Sequence, residues 1–598
     1  MTTRYPADLP CISAYSPVAV GRRVTSIAIA RVAGVLVAGV LVASVLLASV
    51  REVIVHAARA HLASLTRLAC AVLGAALCVV AAPAHAQCVQ FAGQTVAASE
   101  IGLPTRGALV TSAMLVGATQ SGNGNGDYCR ITGEIRPVRD DAPDIHFELN
   151  LPKRWNGRAL QLGGGGYSGE VVSGTNMVPF APRTTPLSQG YATFGSDSGH
   201  IGTSARAEFA VNDEALLNFG YGHLKKTHDV ALALITQNYG KPPQRVYFAG
   251  GSTGGREGYT VIERFPNDYD GVIADAPAIN FSGVRLLGVK VGQMAYDVPG
   301  GFVPPVKQKL VYRRVLASCD GLDGVADGIV SNVDACHALE RQIVASLRCP
   351  DGTDQGNDCL SAPQIDMLSA LNDGLDLPYA LANGARVYPG YNVFAGCDFS
   401  GMLGLGRSPV RLARPDIIAN GYLFAQADAY MKYFVTRDPT FETLNFDLAH
   451  PDPYEERLVE LSQIVGAMNP DLSAFVAHGG RVITLHGLAD EVISPNQTIA
   501  FYRSIVAKFG LEKTDSFMRL YMVPGFQHGN GVFIPSWDAL GALDKWVTYG
   551  VAPETLVATD IAAATNGRSR PLCRFPAFPR YLGKGSVNVA TSFRCATS

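Results

Sequence analysis

Three residues far apart in the chain carry side chains that could together break a carbonyl–heteroatom bond. FAGGSTGGREG (248–258) sets Ser252 in a G-x-S-x-G pattern from Gly250 to Gly254. A serine hydroxyl is a weak nucleophile, so it needs a base and an acid that orients the base. LHGLADEVISP (485–495) supplies Asp490, and GFQHGNG (525–531) supplies His528. The order serine, acid, histidine is the one that accompanies a nucleophile elbow between a strand and a helix. Taken singly, Ser252 is a small residue in a glycine-rich turn and His528 a structural histidine. Together, in this order and at strand ends, they read as nucleophile, orienting acid and general base. A tetrahedral oxyanion also needs backbone N–H donors. Thr253, directly after the nucleophile, should give one. The loop Gly163 to Gly166 should give the other, from Gly165 or alternatively Gly164. Four glycines alone would be only a flexible turn.

These residues need strand ends to hold them. IHFELNL (145–151) alternates in strand fashion, and ALQLGGGGYSG (159–169) is an apolar run ending in the glycine loop. YATFGSDSGH (191–200), RVYFAG (245–250) and GVIADAPA (271–278) read as further strands. HDVALALITQNYG (228–240) and GREGYTVIERF (255–265) read as helices, the first with a glycine stop. From about 281 to 475 the chain turns to loops, prolines and cysteines. The α/β rhythm resumes with a strand at RVITLHG (481–487), a helix at 496–510, a strand at FMRLYMVPG (517–525) and a helix at 537–550. The spacing predicts one α/β domain with a mostly parallel sheet, built from 87–280 and 476–598, with 281–475 inserted.

The chain has 598 residues, 47% hydrophobic and 17% charged, with a net charge of −2. That composition excludes a disordered chain and offers nothing to attract nucleic acid. Residues 1–86 stand apart as a targeting region. Arg59 and Arg67 precede the apolar run LACAVLGAALCVVAA (68–82), and AHA (84–86) closes it, as in a secretory signal peptide cleaved after Ala86. The earlier apolar stretch 32–50 has two explanations, a start placed too far upstream, which we prefer, or a membrane anchor. The expected mature protein is secreted or periplasmic, with no membrane partner. It holds nine cysteines, an odd count that leaves one unpaired within a monomer.

Several blocks taken together resemble the tannase and feruloyl esterase family of secreted α/β-hydrolases, which includes mono(2-hydroxyethyl) terephthalate hydrolases. They are WNGRALQLGGGGYSG (155–169), GYATFGSDSGH (190–200), GSTGGREG (251–258), FPNDYDGVIADAPA (265–278), HGLADEVISP (486–495), PGFQHGNG (524–531) and LDKWVTYGVAPE (543–554). The resemblance runs from about Cys88 to the C-terminus and implies an α/β-hydrolase fold with a large inserted lid domain. It also implies a structural calcium ion at CDGLDGVADGIV (319–330). There Asp320, Asp323 and Asp327 are hard oxygen ligands, and the carbonyls of Val325 and Ile329 can complete the six to eight oxygens calcium takes. The spacing is not that of an EF-hand, and a solvated acidic turn is the plainer reading of these residues alone. The family's pairing implies disulfides Cys88–Cys129, Cys319–Cys336, Cys349–Cys359 and Cys573–Cys595, leaving Cys397 over. By family position His486 lines the substrate pocket. Phe281 and Val284 are candidates to line it too, or are ordinary core residues.

One departure stands out. The family usually has cysteine directly before the serine and directly after the histidine, joined as a disulfide; here these positions are Gly251 and Gly529. The implied activity is hydrolysis of a carboxylic ester, with an aromatic acyl part of feruloyl, galloyl or terephthalate type. Two rivals are a serine peptidase of the prolyl oligopeptidase type and a non-catalytic, calcium-stabilised binding protein on a hydrolase scaffold.

Overall fold

The apolar runs become strands of one sheet. The computed structural model describes residues 88–597 apart from 176, 177, 182, 183 and 555. The targeting region, with its expected cleavage site and the stretch 32–50, lies outside the described residues. Ten strands form the main sheet: β1 (Thr95–Val96), β2 (Ala108–Val116), β3 (Tyr128–Ile135), β4 (Ile145–Pro152), β5 (Arg158–Leu162), β6 (Ala192–Ser196), β7 (Arg245–Gly251), β8 (Gly271–Asp275), β9 (Arg481–Gly487) and β10 (Met518–Val523). Their order is β1-β2-β3-β4-β6-β5-β7-β8-β9-β10. The expectation of a mostly parallel sheet holds from β6 through β10; β1 to β4, and the β4–β6 pairing, are antiparallel. The sequence carries the physical reason. β3 alternates buried and half-buried residues, as a strand covered on one face does, whereas β8 and β10 are apolar almost throughout because helices cover both faces.

The helices bearing on the site are α1 (His223–Tyr239), α2 (Thr253–Arg264), α3 (Phe281–Tyr296), α4 (Pro495–Phe509) and α5 (Ala539–Tyr549). Along β7 the side chains alternate between two cores. Val246 and Phe248 join Leu234 of α1, Ile262 of α2 and Ile505 of α4 on one face. Tyr247 and Ala249 join Leu543 and Trp546 of α5 on the other.

A large helical region is inserted between β8 and β9, giving the fold an α/β-hydrolase sheet with a lid. It starts with α3, whose first turn is capped by Asn280, its side-chain Oδ1 accepting the Gly283 N–H at 3.1 Å. Its core gathers Leu286, Leu310, Leu368, Phe394, Leu423, Phe434 and Leu461. The sequence suggested loops here, but the region is built of helices such as Pro305–Cys319, Ala362–Asp373 and Glu455–Val465. The first two match α4 and α2 in length, but polar and apolar residues are mixed around them, so they show only a weak helical period.

Disulfides join Cys88 to Cys129, Cys319 to Cys336, Cys349 to Cys359 and Cys573 to Cys595, and Cys397 is a buried free thiol. Among the described residues no helix is long and apolar enough to cross a membrane.

Candidate active site

β7, β8 and β9 lie side by side, with Gly251 opposite Asp275 and Asp275 opposite Leu485. Their C-terminal ends therefore open onto one edge of the sheet. Ser252 stands between the last residue of β7 and the first of α2, with φ 60° and ψ −118°. That conformation is costly for a residue with a β-carbon and is the mark of a nucleophile elbow. The turn closes so tightly that a β-carbon at Gly250 would lie 2.6 Å from the Gly254 carbonyl carbon. Backbone bonds hold the strained residue: the Ser252 N–H donates to the Asp275 carbonyl at 2.9 Å, and the Ser252 carbonyl accepts from Ala278 and Arg256.

Asp490 lies in the loop after β9 and is completely buried. Its Oδ1 accepts the N–H groups of Val492 at 2.7 Å and Ile493 at 2.8 Å. Its Oδ2 accepts the Nδ1–H of His528 at 2.8 Å. Burial pushes this carboxyl up, but His528 and His486 overcome that and hold it well below the usual range. Burial pushes His528 down; the adjacent Asp490, with Glu491 and Asp275 adding, raises it to about 9. The structure thus brings Asp490 and His528 together. Among the described residues no hydrogen bond joins Ser252 Oγ to His528 Nε2.

Two N–H groups of the glycine loop are already engaged. The Gly163 N–H donates to the Ala249 carbonyl, and the Gly164 N–H to Glu257 Oε2 at 3.0 Å. Among the described residues no bond engages the N–H of Gly165 or of Thr253, and a β-carbon at Gly165 would meet open space. Of the two alternatives for the loop donor, Gly165 is the one left free. The Thr253 hydroxyl is not spare, because it donates to the Gly166 carbonyl at 2.6 Å.

The expected pocket-lining residues are all buried. His486 is fully buried, and both ring nitrogens are occupied. Nδ1 pairs with Thr498 Oγ1 at 2.8 Å; Nε2 lies 3.1 Å from the Ile493 carbonyl and 3.3 Å from Asp490 Oδ2. It braces the Asp490 loop from below. Phe281 and Val284 are fully buried in the lid core, Phe281 stacking edge-on with Tyr167 and Phe219.

Sequence reasoning passed over three acids around the site, Glu491 and Glu257 buried and Asp275 half-buried. Asp275 ends β8, with one carboxylate oxygen lacking any partner, and burial pushes it up to about 8. Glu491, beside Asp490, accepts the backbone N–H of His528 at 3.1 Å, and burial raises it to about 7. Glu257 is the third. The available signal was a charged residue inside an otherwise apolar or glycine-rich block, in ADAPA, ADEVI and GREG.

In the loop 319–330, Asp320 accepts the N–H groups of Asp327, Gly328 and Ile329, and Asp327 pairs with Arg570. Asp323 is 1% exposed, and its Oδ2 is buried with no partner. Burial pushes it up to about 6. An orphaned buried carboxylate oxygen fits a cation ligand. A separate cluster, His228, Asp229 and Asp268, has ligand atoms within 4.8 Å of one another and could hold a metal ion. The Lys225 ammonium already stands among them, 2.8 Å from Asp229 and 2.9 Å from Asp268. Its chemistry is that of a part-buried ion-pair cluster at α1, apart from the loop 319–330.

Fold and site together are those of an α/β-hydrolase with an inserted lid. The family model for tannase and feruloyl esterase matches residues 129–596, and the chain belongs to that family. It is 45% identical over 530 residues to an uncharacterized esterase of Agrobacterium fabrum, covering 86% of this chain and 94% of that one. It is 31% identical to a probable feruloyl esterase of Arthroderma benhamiae, covering 79% and 86%. Feruloyl esterase B from Aspergillus oryzae superposes with a TM-score of 0.68 at 26% identity, covering 86% of this chain and all of that one.

Proposed function

We propose that this protein is a secreted serine carboxylic ester hydrolase acting on esters of aromatic acids, of feruloyl, galloyl or terephthalate-monoester type. The observation that carries the reading is the His528–Asp490 hydrogen bond of 2.8 Å at the sheet edge where Ser252 sits on a strained elbow. Ser252 Oγ attacks the ester carbonyl while His528 takes its proton at Nε2. Asp490 fixes the tautomer and stabilises the imidazolium. The Thr253 and Gly165 N–H groups receive the oxyanion. His528 then protonates the departing alcohol, and water, activated by the same histidine, cleaves the acyl-enzyme. Asp320, Asp323, Asp327 and the carbonyls of Val325 and Ile329 would hold a calcium ion in a structural role, and the Asp327–Arg570 ion pair ties that lid loop to the C-terminal strand that carries Arg570. The aromatic acyl preference rests on the family and on the feruloyl esterases among its relatives.

The test is hydrolysis of methyl ferulate, methyl gallate, a terephthalate monoester and a peptide anilide by the mature protein and its Ser252→Ala variant. Ester turnover that falls by several orders of magnitude in a folded variant is the expected result. Anilide cleavage with inert esters would favour the peptidase. No turnover of any substrate would favour a binding protein.

A further inference from the structure

Glu257 is a carboxylic acid with no exposed surface, five residues beyond the nucleophile on α2. A buried carboxyl is costly unless its oxygens are partnered. Oε2 is partnered by a backbone group of the glycine loop, the Gly164 N–H at 3.0 Å. Oε1 makes no hydrogen bond; His223 Nε2 lies 3.6 Å from it and Arg256 Nη2 3.8 Å. His223 Nδ1 pairs with the Asn218 carbonyl at 2.6 Å, which leaves Nε2 as the lone-pair side of a neutral ring.

Two further bonds fasten the same loop to the same helix. The Gly254 N–H donates to the Gly164 carbonyl at 2.9 Å, and the Thr253 hydroxyl to the Gly166 carbonyl at 2.6 Å. Both groups of Gly164 are thus bound to α2, and so is the carbonyl of Gly166. Gly165 sits between them with its N–H unengaged. The approach is too close for any side chain, since a β-carbon at Gly163 would lie 2.7 Å from Glu257 Oε2.

We propose that Glu257 is a positioning residue of the oxyanion hole: by taking the Gly164 N–H it locks the loop so that Gly165 presents its own N–H to the reacting carbonyl. This rests on the esterase reading above. Without the buried acceptor, the Gly164 N–H is left unsatisfied beneath the loop, and the loop must shift to find a partner. An oxyanion donor is useful only when it is held in place before the charge develops.

Glu257→Gln, Glu257→Ala and Glu257→Met separate this role from packing. The Gln carbonyl can accept the Gly164 N–H while its amide donates to His223 Nε2. Met fills the volume with no acceptor and replaces the Ala variant if that does not fold. kcat per titrated active site and KM are measured on 4-nitrophenyl acetate. Amide hydrogen exchange of the peptide covering 160–168 is followed in parallel, so the tie is tested even if the esterase reading fails through an unaffected Ser252→Ala variant. The expected result is faster loop exchange and a loss of about 10²–10³-fold in kcat, with little change in KM, for Ala or Met, and near wild-type behaviour for Gln. Unchanged exchange, kcat per active site close to wild type in the Ala or Met variant, or failure of Gln to rescue would overturn the proposal.

Discussion

Asp490→Asn probes the charge and the tautomer at once. Oδ1 of Asp490 accepts two backbone N–H groups, from Val492 and Ile493, while Oδ2 faces His528 Nδ1. In the amide, the carbonyl must keep the two N–H donors, so the NH₂ turns toward Nδ1. His528 then accepts at Nδ1 and carries its proton on Nε2, where it cannot take one from Ser252. The expected loss in kcat is about 10⁴-fold, the size of a tautomer reversal in serine hydrolases. The pH profile adds a second reading. Burial lowers His528, yet Asp490, Glu491 and Asp275 together lift it from 6.5 to about 9. At about 1.4 kcal/mol per pH unit this is worth about 3 kcal/mol of imidazolium stabilisation. A raised histidine stabilises the fold fully below its unfolded value, and that contribution is lost as pH rises through about 9. The base must be neutral, so wild-type kcat/KM should climb with pH toward about 9. In Asp490→Asn the climb should move toward 6.5 and the stability between these values should fall. Initial rates on 4-nitrophenyl acetate from about pH 5 to about pH 10, with thermal melts at each pH, measure both. A folded variant within about tenfold of wild type, with its pH limb unmoved, would refute the reasoning.

Glu491→Gln keeps an acceptor for the His528 N–H and removes the charge, so the pH limb should move down by less than in Asp490→Asn. Burial keeps Glu491 protonated in the fold up to about 7, whereas the unfolded group ionises near 4.5; native stability therefore falls across that window, and the Gln variant should abolish this component in melts taken through it. Stripping calcium with EDTA should lower Tm and re-addition restore it, because a ligand at about a hundredfold over Kd adds about 2.7 kcal/mol. Asp323→Ala should melt low and ignore added calcium, and an unchanged Tm on chelation would reduce the loop to an acidic turn. Gly251→Cys with Gly529→Cys should gain less than the usual about 2–4 kcal/mol of a disulfide. Gly529 holds φ +78°, and a β-carbon at Gly251 would stand 3.3 Å from Asp275 Oδ2. A Tm gain of full size on oxidation would contradict that strain.

What the sequence made legible follows from what short-range chemistry controls. The strands and helices around the site showed because their apolar period and glycine stops are local; α1 ends at Gly240 with φ +70°, as its glycine foretold. The elbow showed because its strain demands glycine on both sides of Ser252. Burial is not local, and a linear pattern does not carry it. His486 is polar and sits at a strand end, which suggests a pocket, but Thr498 of α4 and the Ile493 carbonyl cover it from segments that a linear pattern does not place. Phe281 and Val284 follow the elbow's supporting strand closely, yet the lid helices close over them. The lid itself was opaque because its helices are set by packing against α3 rather than by their own period.

The two glycines flanking the site illustrate the same limit. In the structure Gly251 is the final residue of β7, outside the left-handed region, and Gly529 is the residue with positive φ. What constrains Gly251 is a neighbour: the carboxylate of Asp275 across the sheet from it. That same aspartate accepts the Ser252 N–H through its carbonyl and raises His528 through its charge. A residue unremarkable in ADAPA thus bonds the Ser252 backbone and acts on His528 through its charge. The register of β7 against β8 creates that link, and register is a property of the paired strands rather than of either one alone.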